Sequence, residues 1–421
     1  MRPKSFMVIA GEASGDLLGA ELVQALRQEF LDAKAEPTLD YQPLHARLEP
    51  RFFGAGGPAM RAAGVELAFD MTAHSVLGLW EPLKNYFKFK KLFHQLHTLA
   101  REREPDVLIC IDFSGFNRAF AHAIKSYVRR RQDWFHDWDP KVVQYVSPQV
   151  WASREERIYQ IARDYDLVLS TFAFEKEWYA QRVPRLRVEF VGNPIVDRCR
   201  KLKGAATGPG SVPAPSSTAG KPFHVVLLPG SRKAELLHHV PVFAEAARRI
   251  AAAQETSFLM VLPDTALMAL ARTLLGNDER IVTQVGGLDR ALGAADLAIT
   301  KSGTITLECA CFGAPAIVIY KTSFLTYFVG KRVVKVRYLA MPNLLAGETV
   351  FPEFIQAAAT SENIAQEALA LLSDEERRRN IQAKLAEVVS SLGGGGASGR
   401  AARALIQLMV PEGRERESAP A

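Results

Sequence analysis

Short, nearly continuous apolar runs alternate along this chain with longer stretches whose apolar residues return every three or four positions. "SFMVIA", "VLICID", "KVVQYV" and "LVLST" are of the first kind, "ELVQALRQEF" and "AFAHAIKSYV" of the second. An apolar run without polar alternation fits a strand buried on both faces, and the longer period fits an amphipathic helix. Their alternation predicts βαβ units and a parallel sheet covered by helices. The rhythm stops at 201–222, "KLKGAATGPGSVPAPSSTAGKP", whose Gly, Pro, Ala and Ser predict a linker. It restarts with "FHVVLLPG", "VFAEAARRIAAA", "SFLMVLP", "RIVTQV", "LAIT" and "PAIVIY". The expected class is therefore α/β, with two Rossmann-like domains at 1–200 and 223–392 facing a central cleft, the default ligand site. The Gly-rich "LGGGGASGR" reads as a hinge, making 393–410 a hinge and terminal helix, and 411–421 a polar, disordered tail.

A length of 421 residues is comfortable for two cores. The formal charge of +6 favours acidic partners: nucleic acid, phosphorylated metabolites or an anionic membrane. Cys110, Cys199, Cys309 and Cys311 show no metal-ligand or disulfide spacing, and a reducing compartment is the simplest expectation. No run approaches the roughly 18 apolar residues of a membrane span, which leaves binding at a membrane surface open.

Four places combine a strand end, a turn and reactive groups. "GEASGDLLGA" opens a helix after the first strand, with Glu12, Ser14, Gly15 and Asp16 close together. Free N–H groups there attract an anion or a sugar hydroxyl, and a plain helix cap explains only one of these polar residues. "LLPGSRKAEL" repeats the arrangement with Gly230, Ser231 and Arg232, a backbone nest beside a guanidinium that suits a pyrophosphate. "ITKSGTITLE" offers Ser302, Gly303 and Thr304 for phosphate oxygens, and Glu308 one turn on for ribose hydroxyls. "PDVLICIDFSGFN" delivers Asp112 at the carboxyl end of its strand, where open α/β sheets place ligands; it is a helix cap or a catalytic base. Asp137 and Asp139 in "HDWDP" imitate a metal–nucleotide DxD, but they lie in a charged insertion and rank lower.

The stretch "SVLGLWEPLKNYFKFKKLFHQLHTLA" interleaves Trp80, Tyr86, Phe87, Phe89 and Phe93 with Lys84, Lys88, Lys90 and Lys91. One helix face cannot bury every ring, and the mix suits either an interfacial helix on anionic lipid or a surface helix with snorkelling lysines. Trp80, Phe87, Lys88, Lys90 and Lys91 are the candidate membrane-facing residues. No nucleic-acid motif accompanies the basic residues.

Taken together, these motifs resemble the lipid-A-disaccharide synthase family, inverting glycosyltransferases of the GT-B fold and of the glycosyltransferase family 19 type. "GEASGD", "GAGGPAM", "PDVLICID…FN", "YVSPQVWASR…RI", "FEKEWY", "FVGNPIVD", "LLPGSRKAEL", "SGTITLE", "APAIVIYKTS", "MPNLLAGE" and "PEFIQ" occur in order nearly end to end. The resemblance implies transfer of the sugar of UDP-2,3-diacylglucosamine to 2,3-diacylglucosamine 1-phosphate, giving lipid A disaccharide 1-phosphate and UDP. It implies Asp112 as the base, Glu12 as a second catalytic residue, Arg232 on the pyrophosphate, Glu308 on the nucleotide and Asn343 as a further site residue. No metal or other cofactor is expected, because arginine and helix dipoles would stabilise the leaving UDP. The expected location is peripheral, on the cytoplasmic face of a bacterial inner membrane, and the resemblance leaves room for a homodimer. Other UDP-sugar enzymes, an epimerase among them, and a non-catalytic paralogue are the competing readings. The chain departs from the family pattern at Ser114-Gly115 (usually Pro-Asp), at Ser153 (usually Trp) and at Asn193 (usually His).

Overall fold

The computed structural model describes residues 3–35, 49–72, 82–131, 136–206, 222–322, 327–328, 332 and 334–410. Trp80, residues 207–221 of the expected linker and the tail 411–421 lie outside them, as does the Lys88 side chain. The chain divides into two compact units, one of residues 1–150, 154–194 and 396–421, the other of 151–153 and 195–395.

The first unit runs β1 (Ser5–Ala10), α1 (Ala13–Ala35), β2 (Arg51–Gly56), α2 (Pro58–Ala62), β3 (Glu66–Asp70), α3 (Pro82–Arg103), β4 (Val107–Ile111), α4 (Ser114–Arg131), β5 (Lys141–Tyr145), α5 (Ile158–Asp164), β6 (Leu167–Ser170), α6 (Ala173–Arg182) and β7 (Arg187–Phe190). Its seven parallel strands lie in the order β3-β2-β1-β4-β5-β6-β7. Side chains alternate across the sheet, so one apolar run serves two cores. Phe6, Val8, Val107, Ile109 and Ile111 face the α1 side. Met7, Ile9, Leu108 and Cys110 face α3, α4 and α5.

The second unit runs α7 (Pro194–Ala206, whose first residue belongs to the first unit), β8 (Phe223–Leu228), α8 (Lys233–Ala253), β9 (Thr256–Leu262), α9 (Thr265–Leu275), β10 (Ile281–Val285), α10 (Leu288–Gly293), β11 (Leu297–Lys301), α11 (Ile305–Phe312), β12 (Ala316–Tyr320), α12 (Met341–Ala346), β13 (Glu353–Ile355), α13 (Ser361–Ser373) and α14 (Glu375–Ser391). Its six parallel strands lie in the order β10-β9-β8-β11-β12-β13. The last helix, α15 (Ala397–Met409), belongs to the first unit. It packs Ala401, Ala402 and Leu405 into the α1 core, and Arg403 pairs with Glu29 at 2.8 Å.

Both sheets reverse strand order once, between β1 and β4 and between β8 and β11. Such a switch point opens a crevice at the carboxyl ends of its two strands. Register then decides which residues meet there. Ala10 pairs with Ile111, so Glu12 and Asp112 leave neighbouring strands at one level. Leu228 pairs with Thr300, so the Pro229 and Lys301 turns leave together as well.

Candidate active site

In the first unit, Asp112 and Phe113 follow β4 with φ of 45° and 42°, and Val146 follows β5 with φ of 66°. Left-handed backbone costs a non-glycine residue about 1–2 kcal/mol, and a β-branched one is a clear outlier. Two buried amides hold this strained corner. Asn117 donates its Nδ2 to the carbonyls of Ile111 (3.0 Å) and Asp112 (2.8 Å). Gln144 donates its Nε2 to the carbonyls of Asp112 (3.3 Å) and Val146 (3.2 Å). The Asp112 carboxyl keeps an open side to solvent. Surrounding protein nonetheless pushes its pKa above the ordinary value; the Glu12 charge adds to the rise, and the Phe113 N–H opposes it.

Glu12 is half-buried, and its carbonyl accepts the Asp16 N–H (2.8 Å) at the start of α1. Asp16 plays a structural part. Its buried carboxylate accepts the N–H groups of Gly57 (2.7 Å), Ala59 (2.9 Å) and Met60 (3.0 Å), tying "GEASGD" to the start of α2. Neither Gly11 nor Gly15 has a positive φ. Gly11 is required because the Phe113 ring lies where a Cβ would be, whereas a Cβ at Gly15 would meet only ordinary contacts. Ser14 is exposed beside them. Ser114 and Gly115 are exposed in the first turn of α4, and nothing lies within 4 Å of a Cβ built at Gly115.

In the second unit, Arg232 is the N-cap residue of α8, exposed at the positive end of a 21-residue helix. Ser231 precedes it, and Gly230 takes φ of 129°. Glu235 reaches back to accept the Ser231 N–H (2.8 Å) and pairs with Lys301 at 3.2 Å. That pair joins the two loops. Gly303, with φ of 142°, passes so close to Lys301 that a Cβ would sit 3.0 Å from its Nζ. Beneath the first loop, buried His239 shares a 2.6 Å hydrogen bond from Nδ1 to the Pro229 carbonyl. Burial holds His239 below its ordinary pKa, so the ring is neutral and donates this bond.

Glu308 is half-buried on α11; burial raises its pKa, and the Arg198 charge partly counters the rise. Thr304 is exposed at the N-cap of α11. Two of the expected ligand contacts are already engaged within the protein. Ser302 donates its hydroxyl to the Leu339 carbonyl (2.8 Å), so that proton is already engaged. Asn343 is fully buried, with every amide position taken. Its Nδ2 donates to the Phe351 carbonyl (2.7 Å) and to Glu353 (2.8 Å), and its Oδ1 accepts from Val350 (2.9 Å) and Phe351 (2.7 Å). An amide so engaged holds its own loop. Among the described residues no cluster of three or more His, Cys, Asp or Glu is placed to hold a metal, and Asp139 pairs instead with Lys125 at 3.2 Å.

Residues 6–406 match the family model described as Lipid-A-disaccharide synthetase. A lipid-A-disaccharide synthase of Geobacter metallireducens is 36% identical over 410 residues, covering 96% of this chain and 97% of that one. One from Myxococcus xanthus is 32% identical over 420 residues, covering 97% and 98%. The chain belongs to the lipid-A-disaccharide synthase family. It is thus a glycosyltransferase of lipid A biosynthesis, acting on a UDP-sugar and a lipid-linked acceptor. Solved structures share the fold at low identity. A UDP-GlcNAc 2-epimerase from Neisseria meningitidis, bound to UDP-GlcNAc, has a TM-score of 0.58 at 11% identity, covering 97% of this chain and 100% of its own. A calicheamicin glycosyltransferase has a TM-score of 0.56 at 14% identity, covering 98% and 100%. Both sheets of this lipid-A-disaccharide synthase family member have the doubly wound order of a GT-B enzyme.

Within this framework, Glu12, Ser14, Gly15 and Asp112 gather at one switch point, and Gly230, Ser231, Arg232, Ser302, Gly303 and Thr304 at the other. Sequence reasoning missed Asn117, Gln144, Glu235, His239 and Lys301. Asn117, Glu235 and Lys301 stand inside the quoted motifs and could have been flagged there. Gln144 sits in an apolar run, where a lone polar residue that must find a partner is the signal. The aromatic helix α3 is divided in its roles. Phe89 and Phe93 pack with Phe113, Phe116 and Phe120, whereas Phe87 is 73% exposed and Lys90 and Lys91 are exposed. No helix among the described residues is long and apolar enough to cross a membrane.

Proposed function

We propose that this chain joins UDP-2,3-diacylglucosamine to the 6-hydroxyl of 2,3-diacylglucosamine 1-phosphate, with inversion at the donor's anomeric carbon. The acceptor oxygen attacks that carbon as the bond to the diphosphate breaks, and UDP leaves with the electron pair. Asp112 takes the hydroxyl proton. A base with a raised pKa holds a proton more firmly once it has it, and the neighbouring Glu12 charge sustains that rise. The Arg232 guanidinium and the N-terminus of α8 offset charge developing on UDP, so the transfer is proposed to need no metal. Thr304 meets phosphate, and Glu308 accepts hydrogen bonds from the ribose hydroxyls. Phe87, Lys90 and Lys91 rest on an anionic membrane surface, placing the enzyme at the cytoplasmic face of the inner membrane.

The observation that carries this reading is Asp112: a carboxylate on a strained corner, at a switch point, beside a second carboxylate that raises its pKa. The test is to incubate purified protein with both substrates and follow disaccharide and UDP together. Equal amounts of the two are expected. UDP release or sugar epimerisation without use of the acceptor would overturn the proposal.

A further inference from the structure

Arginines on and around α4 and α5 of the first unit differ in their partners. Arg129 and Arg163 both reach buried Asp164, at 3.3 Å and 3.2 Å, and Arg182 pairs with Glu155 at 2.6 Å. Arg118, Arg154 and Arg157 have no carboxylate within ion-pair distance among the described residues. Yet Arg154 and Arg157 flank the single turn that leads into α5, and α5 packs against α4, which carries Arg118. Burial lowers the Arg157 pKa, the Arg118 and Arg154 charges lower it further, and Glu156 offsets this only in part. Arg154 is exposed and held at φ of 57°, a strained backbone for any non-glycine residue.

Their place in the fold bears on the reaction. Helices of a parallel sheet begin at the carboxyl ends of its strands. Arg118 is one turn into α4, which starts two residues after Asp112, and Arg157 immediately precedes α5. Like charges gathered where these helices begin, with no carboxylate in ion-pair contact, form a receptor for an anion. In a hexose 1-phosphate, C1 and the carbon bearing C6 flank the same ring oxygen. A base at the 6-hydroxyl therefore has the phosphate within one sugar's reach.

We infer that Arg118, Arg154 and Arg157 bind the phosphomonoester of the sugar acceptor, selecting a 1-phosphorylated acceptor and orienting its 6-hydroxyl toward Asp112. This rests on the reading of Asp112 as the base for an acylated glucosamine 1-phosphate. Arg118→Ala, Arg154→Ala, Arg157→Ala and Arg157→Lys are compared with wild type on the acceptor and on its phosphate-free analogue. Loss of a charge-assisted contact should raise the acceptor KM roughly ten- to hundredfold. The preference for the phosphorylated acceptor should collapse toward unity, while the donor KM moves less than about twofold. Arg157→Lys should keep part of the preference, and unchanged Tm values would exclude misfolding as the cause. A preference preserved in all three alanine variants overturns the inference. So does a loss confined to partitioning onto phosphatidylglycerol vesicles, which would assign the arginines to the membrane. Should wild type make no disaccharide, the functional reading fails on its own, and titration with glucosamine 1-phosphate against glucosamine still decides this site. Tighter binding of the phosphate by wild type, lost in Arg157→Ala, supports it, and no difference between the two sugars refutes it.

Discussion

Asp112 is held in a state that works against the fold. Its carboxyl has a folded-state pKa above the ordinary 3.8, because burial and the Glu12 charge disfavour ionisation. A raised carboxylate contributes stability below its unfolded pKa and loses that contribution as pH rises through the folded value. At neutral pH the ionised group is therefore a net strain, and its backbone at φ of 45° adds to it. Asparagine is neutral and tolerates left-handed backbone better than most residues. Asp112→Asn should raise Tm near neutrality, with the gain shrinking as pH approaches 4, while turnover falls about 10²–10⁴-fold and UDP affinity holds. Thermal scans across pH beside single-turnover assays check both halves; a variant that loses stability at neutrality would make Asp112 a structural residue. Glu12 yields a second prediction. A base must be ionised, so activity falls as pH drops through the Asp112 pKa, and Glu12 raises that pKa. Glu12→Gln should move the acid limb of the kcat/KM profile to lower pH, whatever its effect on the maximum rate. An unmoved limb would show that the two carboxylates do not communicate.

One helix, α8, sets the geometry of the nucleotide loop through residues on a single face. Glu235 closes the turn at Ser231 and ties it to Lys301, and one turn further His239 holds the Pro229 carbonyl. His239→Leu leaves that carbonyl without its donor, which costs about 1–3 kcal/mol, and UDP binding should weaken with the loosened loop. The sign with pH follows from the depressed pKa. Neutral His239 contributes stability that is complete above the ordinary 6.5 and erodes as pH falls below it, so the variant should lose that part of the wild-type slope. Chemical denaturation at several pH values tests this; parallel slopes would exclude it. At this scale the sequence was informative where apolar runs were long and uninterrupted. It was less so for β2, whose Gly54 takes φ of 148° and lies against the Val8 carbonyl of β1, so that a strand residue reads as turn glycine. The edge strand β3, half-exposed, and β13, three residues long, carry too little apolar signal to stand out. The candidate loops were legible because glycine beside reactive side chains marks a strand end. Two of the holding contacts were not, since Gln144 meets the Asp112 carbonyl and Lys301 meets Glu235 only through strand register.

For the whole molecule, the composition break and the restarted rhythm announce two sheets, but no local pattern announces that the chain returns to the first. Helix α15 makes that return, and its alanines allow close approach to α1 while Leu405 fills the space between. Arg400 donates to the Val191 carbonyl at 2.8 Å, and Arg187 to Gln407 at 3.2 Å, so the helix is latched polar side as well as apolar. Pairing between the two ends of a sequence is an interaction that periodicity cannot reveal, because each partner looks like any amphipathic surface helix. The consequence is that the first unit is complete only when the last residues have folded onto it, whereas the second unit closes its own core without them. Leu405→Ala removes buried apolar volume and should cost about 2–5 kcal/mol, all of it in the first unit. For a unit of this size that corresponds to a fall of roughly 2–4 °C per kcal/mol in its unfolding temperature. Calorimetry should show one transition moving down while a UDP-stabilised transition stays in place, with UDP affinity unchanged. Equal displacement of both transitions, or weaker UDP binding, would mean that α15 supports the second sheet as well, and the assignment of the terminal helix to the first unit alone would fall.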